Sequence, residues 1–335
     1  MTIKDIARLS GYAVGTVSRV LNGQPNVSEE ARSRIMAVVE EHNFKLNNNA
    51  KHLKQQSSSG IAIIVKGTQN MLFAGIVERL QGLVKAKGYA SLVYYIDEDD
   101  NEVEQAMQVW RERPTLGILF LGSNLETFRL QFGALKIPCV LVTNSAVSLG
   151  FSNLSSVSTD DAAASRYAVE HLISLGHRNL GIIGGKMDRS NMARVRYNAC
   201  MEAIKAHSLT FLEEKQYATA RFSLEGGYKA MHQLFKSVPD ITAVFAMSDM
   251  IATGAMRAIY EKGLRVPEDI SIIGFDGVEL VQYLTPELCT IRQHKEHLAD
   301  RSVEILLQCI DEQSPAIHEV VDFDFIPGES TKQIL

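Results

Sequence analysis

Cysteine is scarce in this 335-residue sequence: Cys139, Cys200, Cys289 and Cys309 stand far apart, with no CxxC or Cys/His ligand spacing between them. That excludes a disulfide framework, a structural zinc site and an iron–sulfur cluster, and leaves buried thiols as the expected reading. Long apolar runs are missing too. No stretch of about 18 apolar residues exists, and the amphipathic opening MTIKDIARLSG has no apolar export core. No membrane partner is expected, and the expected location is cytoplasmic. Catalytic signatures are equally absent: there is no GxSxG elbow, no HExxH and no GxGxxG opening a helix, and Gly184-Gly185-Lys186 lacks the upstream glycine of a P-loop. His294-Lys295-Glu296-His297 and Asp160-Asp161 are short polar clusters of the kind surface helices and caps supply. No catalytic residue, cofactor or metal is expected.

What is present is an ordinary globular composition, 46% apolar and 22% charged. At about 100–200 residues per domain the length predicts two or three compact units. Charge is unevenly spread. Residues 1–56 carry eight Lys and Arg against five Asp and Glu, a balance of +3, whereas the whole chain carries −5. A basic head on an acidic body suits a head that meets a polyanion, although many solvated helices share this balance.

The head reads as three short helices. Thr2 and Asp5 form a capping-box pattern, after which Ile3, Ile6, Ala7 and Leu9 face inward until Ser10-Gly11 breaks the helix. A second helix from about Val14 to Leu21 puts Val17, Val20 and Leu21 on one face and stops at Asn22-Gly23. Pro25 lies in a loop, Ser28 caps a third helix with Glu29 and Glu30 in its first turn, and Ile35, Val38 and Val39 supply its apolar stripe. Helix-turn-helix geometry needs a small residue at the contact, a residue tolerant of unusual dihedrals in the turn, and a β-branched residue in the second helix. Ala7, Gly11 and Val17 meet those demands in order. The second helix then presents Val14, Gly15, Thr16, Ser18 and Arg19 to a major groove: Arg19 can bridge guanine O6 and N7, and Thr16, Ser18 and Asn22 can bond phosphates. The plainer reading is any amphipathic helical pair.

Residues 43–60 turn to Asn, Lys, Gln and Ser, with Leu53 isolated among polar neighbours, which predicts a linker or conditionally folded segment. Beyond it apolar runs alternate with amphipathic segments: IAIIV, SLVYYI, GILFL and PCVLV with helices over 74–87, 102–112 and 125–135. A second series follows Asp160-Asp161, with LGIIGG, a strand near Gln216, AVFAMSD and ISIIGFD between helices over 162–175, 191–207, 223–236 and 251–262. A helix over 295–310 and a strand EVVDFDFI finish the chain. Repeated β-α units predict two doubly wound parallel-sheet subdomains.

The segments TIKDIARLSG, TVSRVLNG and VSEEARSRI together resemble the DNA-binding headpiece of the lactose-repressor (LacI) family of bacterial transcription regulators. The likeness continues through LGHRNLGIIGG, GLRVPEDISIIGFD and TIRQ, across nearly the whole chain. The resemblance implies a cytoplasmic regulator, most often a repressor. It binds a pseudo-palindromic double-stranded operator as a homodimer, under allosteric control by a small effector held in a periplasmic-binding-protein-like core. It implies a headpiece over 1–45, a hinge helix over 46–58 and a core over 59–335. Within the core, an N-subdomain takes about 59–159 and 290–321, and a C-subdomain about 160–289 and 322–335. Leu53 matches the hinge leucine that wedges into the minor groove, and an apolar side chain in so polar a linker gains burial between unstacked bases; an interdomain contact is the alternative. Thr2, Asn26 and Lys54 complete the expected DNA-facing set.

Two departures bear on the head. The hinge reads Leu46-Asn47-Asn48 where the family has Pro-Asn-Ala, predicting a hinge more dependent on DNA to fold, and Ala13 replaces a capping Ser. For the effector the resemblance points to Phe73, Arg196, Ser248 and Asp276, and strand-end position adds Asp160 and Phe222. A guanidinium fork and a carboxylate can pair with vicinal hydroxyls while an aromatic face covers a sugar ring, and the same set can hold a purine. Ser248 stands where the family has Asn, removing a donor, and Asp249 reads as the cap of the following helix. A carbohydrate effector is expected. A solute-binding protein would share the core but needs an export signal, and a sugar-modifying enzyme would show turnover. The chain ends at PGESTKQIL without a leucine-heptad tail, so tetramers through such a bundle are not expected.

Overall fold

The computed structural model describes residues 3–21, 27–42 and 60–334. The chain divides into two compact units, Met1–Ser58 and Ser59–Leu335. Thr2, Asn22, Asn26, Leu53 and Lys54, the turn at Gly23 and Pro25, the whole expected hinge and the side chain of Ile3 lie outside the described residues.

In the first unit α1 (Ile3–Ser10), α2 (Val14–Leu21) and α3 (Glu29–Glu41) surround a small core of Ile6, Ala7, Val17, Val20 and Ile35, with Tyr12, Leu21, Val27, Val38 and Val39 packed against it. Gly11 closes α1 in the left-handed region (φ +77°), its N–H donating to Ala7 O at 3.0 Å, so the glycine the turn needs is the residue that supplies it. Ser28 caps α3, accepting from Ala31 N at 3.4 Å. One inward assignment fails: Leu9 is 46% exposed, because Ile6 and Ala7 already fill the narrow stripe that an eight-residue helix offers so small a core.

The second unit holds two six-stranded sheets of matching topology. The first comprises β1 (Gly60–Lys66), β2 (Ala90–Ile96), β3 (Thr115–Leu121), β4 (Cys139–Val142), β5 (Leu154–Thr159) and β11 (His318–Val321), in the order β11-β5-β4-β3-β1-β2 and parallel throughout. The second comprises β6 (Leu180–Gly184), β7 (Tyr217–Thr219), β8 (Ala243–Ala246), β9 (Ser271–Asp276), β10 (Cys289–Gln293) and β12 (Phe323–Ile326), in the order β12-β10-β9-β8-β6-β7, with only β12 antiparallel. Central strands such as GIAIIVK and CVLV are buried along their length, as strands covered on both faces must be.

Helices α4 (Met71–Ala86), α5 (Glu102–Glu112), α6 (Leu125–Gln131) and α12 (Lys295–Glu312) cover the first sheet. Helices α7 (Asp161–Ser174), α8 (Asn191–Ala206), α10 (Leu224–Ser237) and α11 (Asp249–Glu261) cover the second, and a short α9 (Glu213–Gln216) precedes β7. Glycine sets one close approach: a Cβ on Gly254 would strike the Leu224 carbonyl, and one on Gly227 the Ile251 carbonyl, so α10 and α11 meet backbone to backbone.

Three differences from the sequence reading concern the lobe crossings. EVVDFDFI is two strands, β11 in the first sheet and β12 in the second, with Asp322 between them. CTIRQ is a strand, β10, that stays in the second sheet through Gln293, so the crossing expected at 290 falls a few residues later. LSSVST is also a strand, β5, buried at every position, where apolar patterning gives no sign of it. Three of its four hydroxyls meet neighbours: Ser155 Oγ accepts from Ile317 N at 3.0 Å, Ser156 Oγ meets His318 Nδ1 at 2.8 Å, and Thr159 Oγ1 donates to Gln293 Oε1 at 3.0 Å. All four cysteines are buried free thiols.

Candidate functional site

In the three-helix unit, burial of Val17 and Val20 turns the opposite face of α2 outward. Val14, Gly15 and Arg19 are exposed, and Thr16 and Ser18 are half-buried. Nothing lies within 4 Å of a Cβ built on Gly15, so this face is flat at its start. Ala13 O accepts from Thr16 N and Val17 N at 2.9 and 3.1 Å, but the alanine has no side chain to cap the helix, which leaves its first N–H groups available to an anion. An exposed valine, a bare glycine and an arginine along one short helix suit a thymine methyl, close backbone approach and a guanine edge respectively.

In the larger unit the two sheets offer matching crevices. Each has its switch point where the first strand is flanked by the second and third, β2-β1-β3 in one lobe and β7-β6-β8 in the other. A cavity of about 320 Å³ lies at these strand ends, lined from the first lobe by Lys66, Asn70, Phe73, Ser123, Asn124 and Asn144, among others, and from the second by Gly185, Lys186, Arg189, Ser190, Arg221 and Phe222. Glycine admits both phenyl rings. A Cβ on Gly122 would lie 2.9 Å from Phe73 Cε2 and one on Gly185 2.8 Å from Phe222 Cε2, so each ring rests on the glycine that ends or follows a central strand.

Charges bridge the mouth of the cleft. Arg221 Nη2 donates to Asp97 Oδ1 at 2.7 Å and to Asp99 Oδ2 at 2.8 Å, and Arg189 Nη1 to Asp99 Oδ1 at 2.9 Å. Hydrogen bonds from Arg221 hold both aspartates below the usual carboxylate range. Glu98 between them accepts from Phe222 N at 3.3 Å, and burial pushes its carboxyl up.

Of the six expected effector residues, only Phe73 and Phe222 line the cavity. Asp160 is exposed and caps α7, accepting from Ala163 N at 2.9 Å. Arg196, Ser248 and Asp276 are 1%, 1% and 2% exposed, inside the second lobe. Ser248, not Asp249, caps α11, accepting from Ile251 N at 3.2 Å; Asp249 follows it and turns inward, accepting from Val278 N at 2.8 Å and Thr290 Oγ1 at 2.5 Å. Arg196 Nε donates to Asp161 Oδ1 at 2.8 Å and Nη1 to Met247 O at 2.6 Å, while the guanidinium lies 3.6 Å over the Phe275 ring. Its Nη2 is 2.7 Å from Asp161 Oδ1 but poorly aligned to donate. Asp276, in a strained backbone conformation (φ +120°), accepts from Gln293 Nε2 at 2.9 Å through Oδ1 and leaves Oδ2 without a partner. Asn70, Ser123, Asn124, Asn144, Lys186, Arg189 and Arg221 escaped the sequence reading. Their signal is faint: a polar residue just past an apolar strand, ahead of a helix.

Among the described residues no helix is long and apolar enough to cross a membrane, and no cluster of His, Cys, Asp or Glu forms a metal site. A groove-reading helical unit and a two-lobed ligand receptor on one chain define a DNA-binding transcription regulator. Residues 2–47 match the bacterial regulatory proteins of the lacI family, and residues 169–331 match the periplasmic binding protein-like domain. The chain is 31% identical to the HTH-type transcriptional regulator MalR of Clostridium butyricum over 98% of its own length and 99% of the relative's. It is 33% identical to the ribose operon repressor of Haemophilus influenzae over 92% of each. In fold it is similar to the lac repressor dimer bound to operator and an anti-inducer, with a TM-score of 0.79 at 24% identity over 99% of both chains. The chain belongs to the LacI family of bacterial regulatory proteins.

Proposed function

We propose that this protein is a cytoplasmic homodimeric repressor whose affinity for a pseudo-palindromic operator is set by a carbohydrate held between the lobes. The observation that carries the reading is the cleft itself, a cavity at two switch points with a phenyl ring from each lobe able to cover the apolar faces of a sugar. A ligand that prefers one closure of the lobes shifts the population of the state that binds DNA, and DNA shifts ligand affinity in return. Val14, Gly15, Thr16, Ser18, Arg19 and Asn22 read or grip the major groove, with Thr2, Asn26 and Lys54 as further DNA contacts and Leu53 as a minor-groove wedge. Arg196, Ser248 and Asp276, buried in the second lobe, do not line the cavity and Asp160 caps α7, so they act by holding that lobe's framework in place.

A thermal-shift screen of the full chain against sugars, sugar phosphates and nucleobases tests the cleft, since a ligand at 100 times its dissociation constant stabilises by about 2.7 kcal/mol. Phe222→Ala should abolish the shift given by the best hit, and an undiminished shift contradicts the assignment. For the DNA unit, operator affinity should fall about 10³-fold or more between about 50 and 200 mM salt as phosphate contacts release counterions; a flat dependence contradicts groove docking. Leu53→Ala should weaken operator binding far more than non-specific binding, and equal losses remove the wedge.

A further inference from the structure

The unspent hydrogen-bonding capacity of the cleft is one-sided. Three carboxamides line its first-lobe wall: Asn70 Oδ1 accepts from Leu72 N at 2.9 Å, Asn124 Oδ1 from Glu126 N at 3.1 Å, and Asn144 Oδ1 from Ser123 N at 3.2 Å. A backbone N–H can be met only by the oxygen end of an amide, so each orientation is fixed and each NH₂ is left over. None of these NH₂ groups has a hydrogen-bond partner among the described residues. Beside them the Ser123 hydroxyl, on a residue 6% exposed, is also without a partner.

The charged groups of the wall sharpen the imbalance. Lys66 is spent on Glu102 at 2.7 Å, and Arg189 and Arg221 are spent on the aspartates at the mouth. Asp99 and Glu98 are likewise engaged, by those arginines and by Phe222 N. Lys186, exposed on the loop between β6 and α8, is the cation of the wall with no ion pair among the described residues. Glu98 has no ion pair among the described residues either, but burial raises its carboxyl and so disfavours its charge. A ligand therefore meets mainly amide donors and the Lys186 ammonium, which an acceptor-rich anion satisfies better than a neutral polyol.

We propose that the cleft selects an acidic carbohydrate, a sugar bearing a carboxylate or phosphate group, over its neutral parent, with Lys186 and the NH₂ groups of Asn70, Asn124 and Asn144 reading the anionic group. This rests on the reading that the cleft holds the effector, and it names the chemical class. Isothermal titration of the full chain with ribose and glucose, their phosphomonoesters, gluconate and glucuronate tests it. At least one acid should bind about tenfold or more tightly than its neutral parent, and whether phosphomonoesters or carboxylates bind tells which acid is meant. Lys186→Met should collapse that ratio to within about twofold of unity. Asn124→Asp keeps the capping oxygen and so the thermal midpoint, but replaces a donor by a negative charge and should weaken the acid about tenfold. A neutral sugar that binds as tightly as its acid overturns the proposal while leaving the cleft as the effector site. Binding of no acid, or an acid preference that survives Lys186→Met, overturns it as well.

Discussion

Arg196→Met is expected to destabilise the protein by about 3–5 kcal/mol, the usual loss when one partner of a buried ion pair is removed. The guanidinium is 1% exposed, and removing it strips Asp161 of its counterion, Met247 O of its donor and Phe275 of a covering cation. Methionine fills much of the volume but supplies none of these. Arg196→Lys should rescue little, because an ammonium cannot bond Asp161 and Met247 O in two directions while lying flat on a ring. Thermal and denaturant unfolding of the full chain measure the effect. A loss below about 1 kcal/mol would place Arg196 outside the framework of the lobe. Lost effector response in this variant should come with lost stability, which separates it from variants of the cavity wall.

Asp276→Asn should act in the opposite direction and change the pH dependence. Burial raises the Asp276 carboxyl to about 7, partly opposed by Arg196 and Gln293, and burial also raises Asp249 and Asp161, with Asp276 repelling Asp249. An unfolded aspartate titrates near pH 3.9, so between about pH 4 and 7 the native state holds a proton that the unfolded state has lost. The Asp276 contribution to stability therefore falls as pH rises through this window and stays lost above it, while His171, His177 and His318, lowered by burial, contribute with the opposite sign. Asparagine keeps an oxygen for Gln293 Nε2, is no more strained than aspartate at this φ and carries no charge. The variant should be more stable than the parent at about pH 8, with a shallower fall from about pH 5. The histidines are common to both proteins and cancel in the comparison, so an equal slope in the two, or a variant no more stable than the parent at about pH 8, contradicts this. The aspartates at the mouth have lowered values, so they act only below that window.

Local rules served the helical unit well, since Val14–Leu21, the Ser28 cap and the Gly11 turn follow from capping, periodicity and φ tolerance within a few residues of each other. The β-α alternation was equally legible, because central parallel strands are apolar along their whole length. β5 and β10 were not. Their buried Ser, Thr and Gln side chains meet partners on other elements, more than a hundred residues away for Ser155 with Ile317 and Thr159 with Gln293 and 41 residues away for Thr290 with Asp249, and no local pattern encodes that pairing. The cleft was half legible. Phe73 and Phe222 carry an aromatic signal, but whether Arg196 and Asp276 face a ligand or each other's neighbours depends on the depth at which α8 packs on the second sheet. The three asparagines look like ordinary helix caps and loop residues until the cavity beside them is visible.

Operator affinity with and without a saturating cleft ligand, paired with ligand affinity with and without operator, tests the central claim most directly. The operator can be found by selection from genomic DNA with the full chain, and the ligand is the best binder whose thermal shift Phe222→Ala abolishes. Both ratios should be the same number, about 5- to 150-fold from unity. A ligand that fills the cleft and leaves operator affinity unchanged would contradict the account.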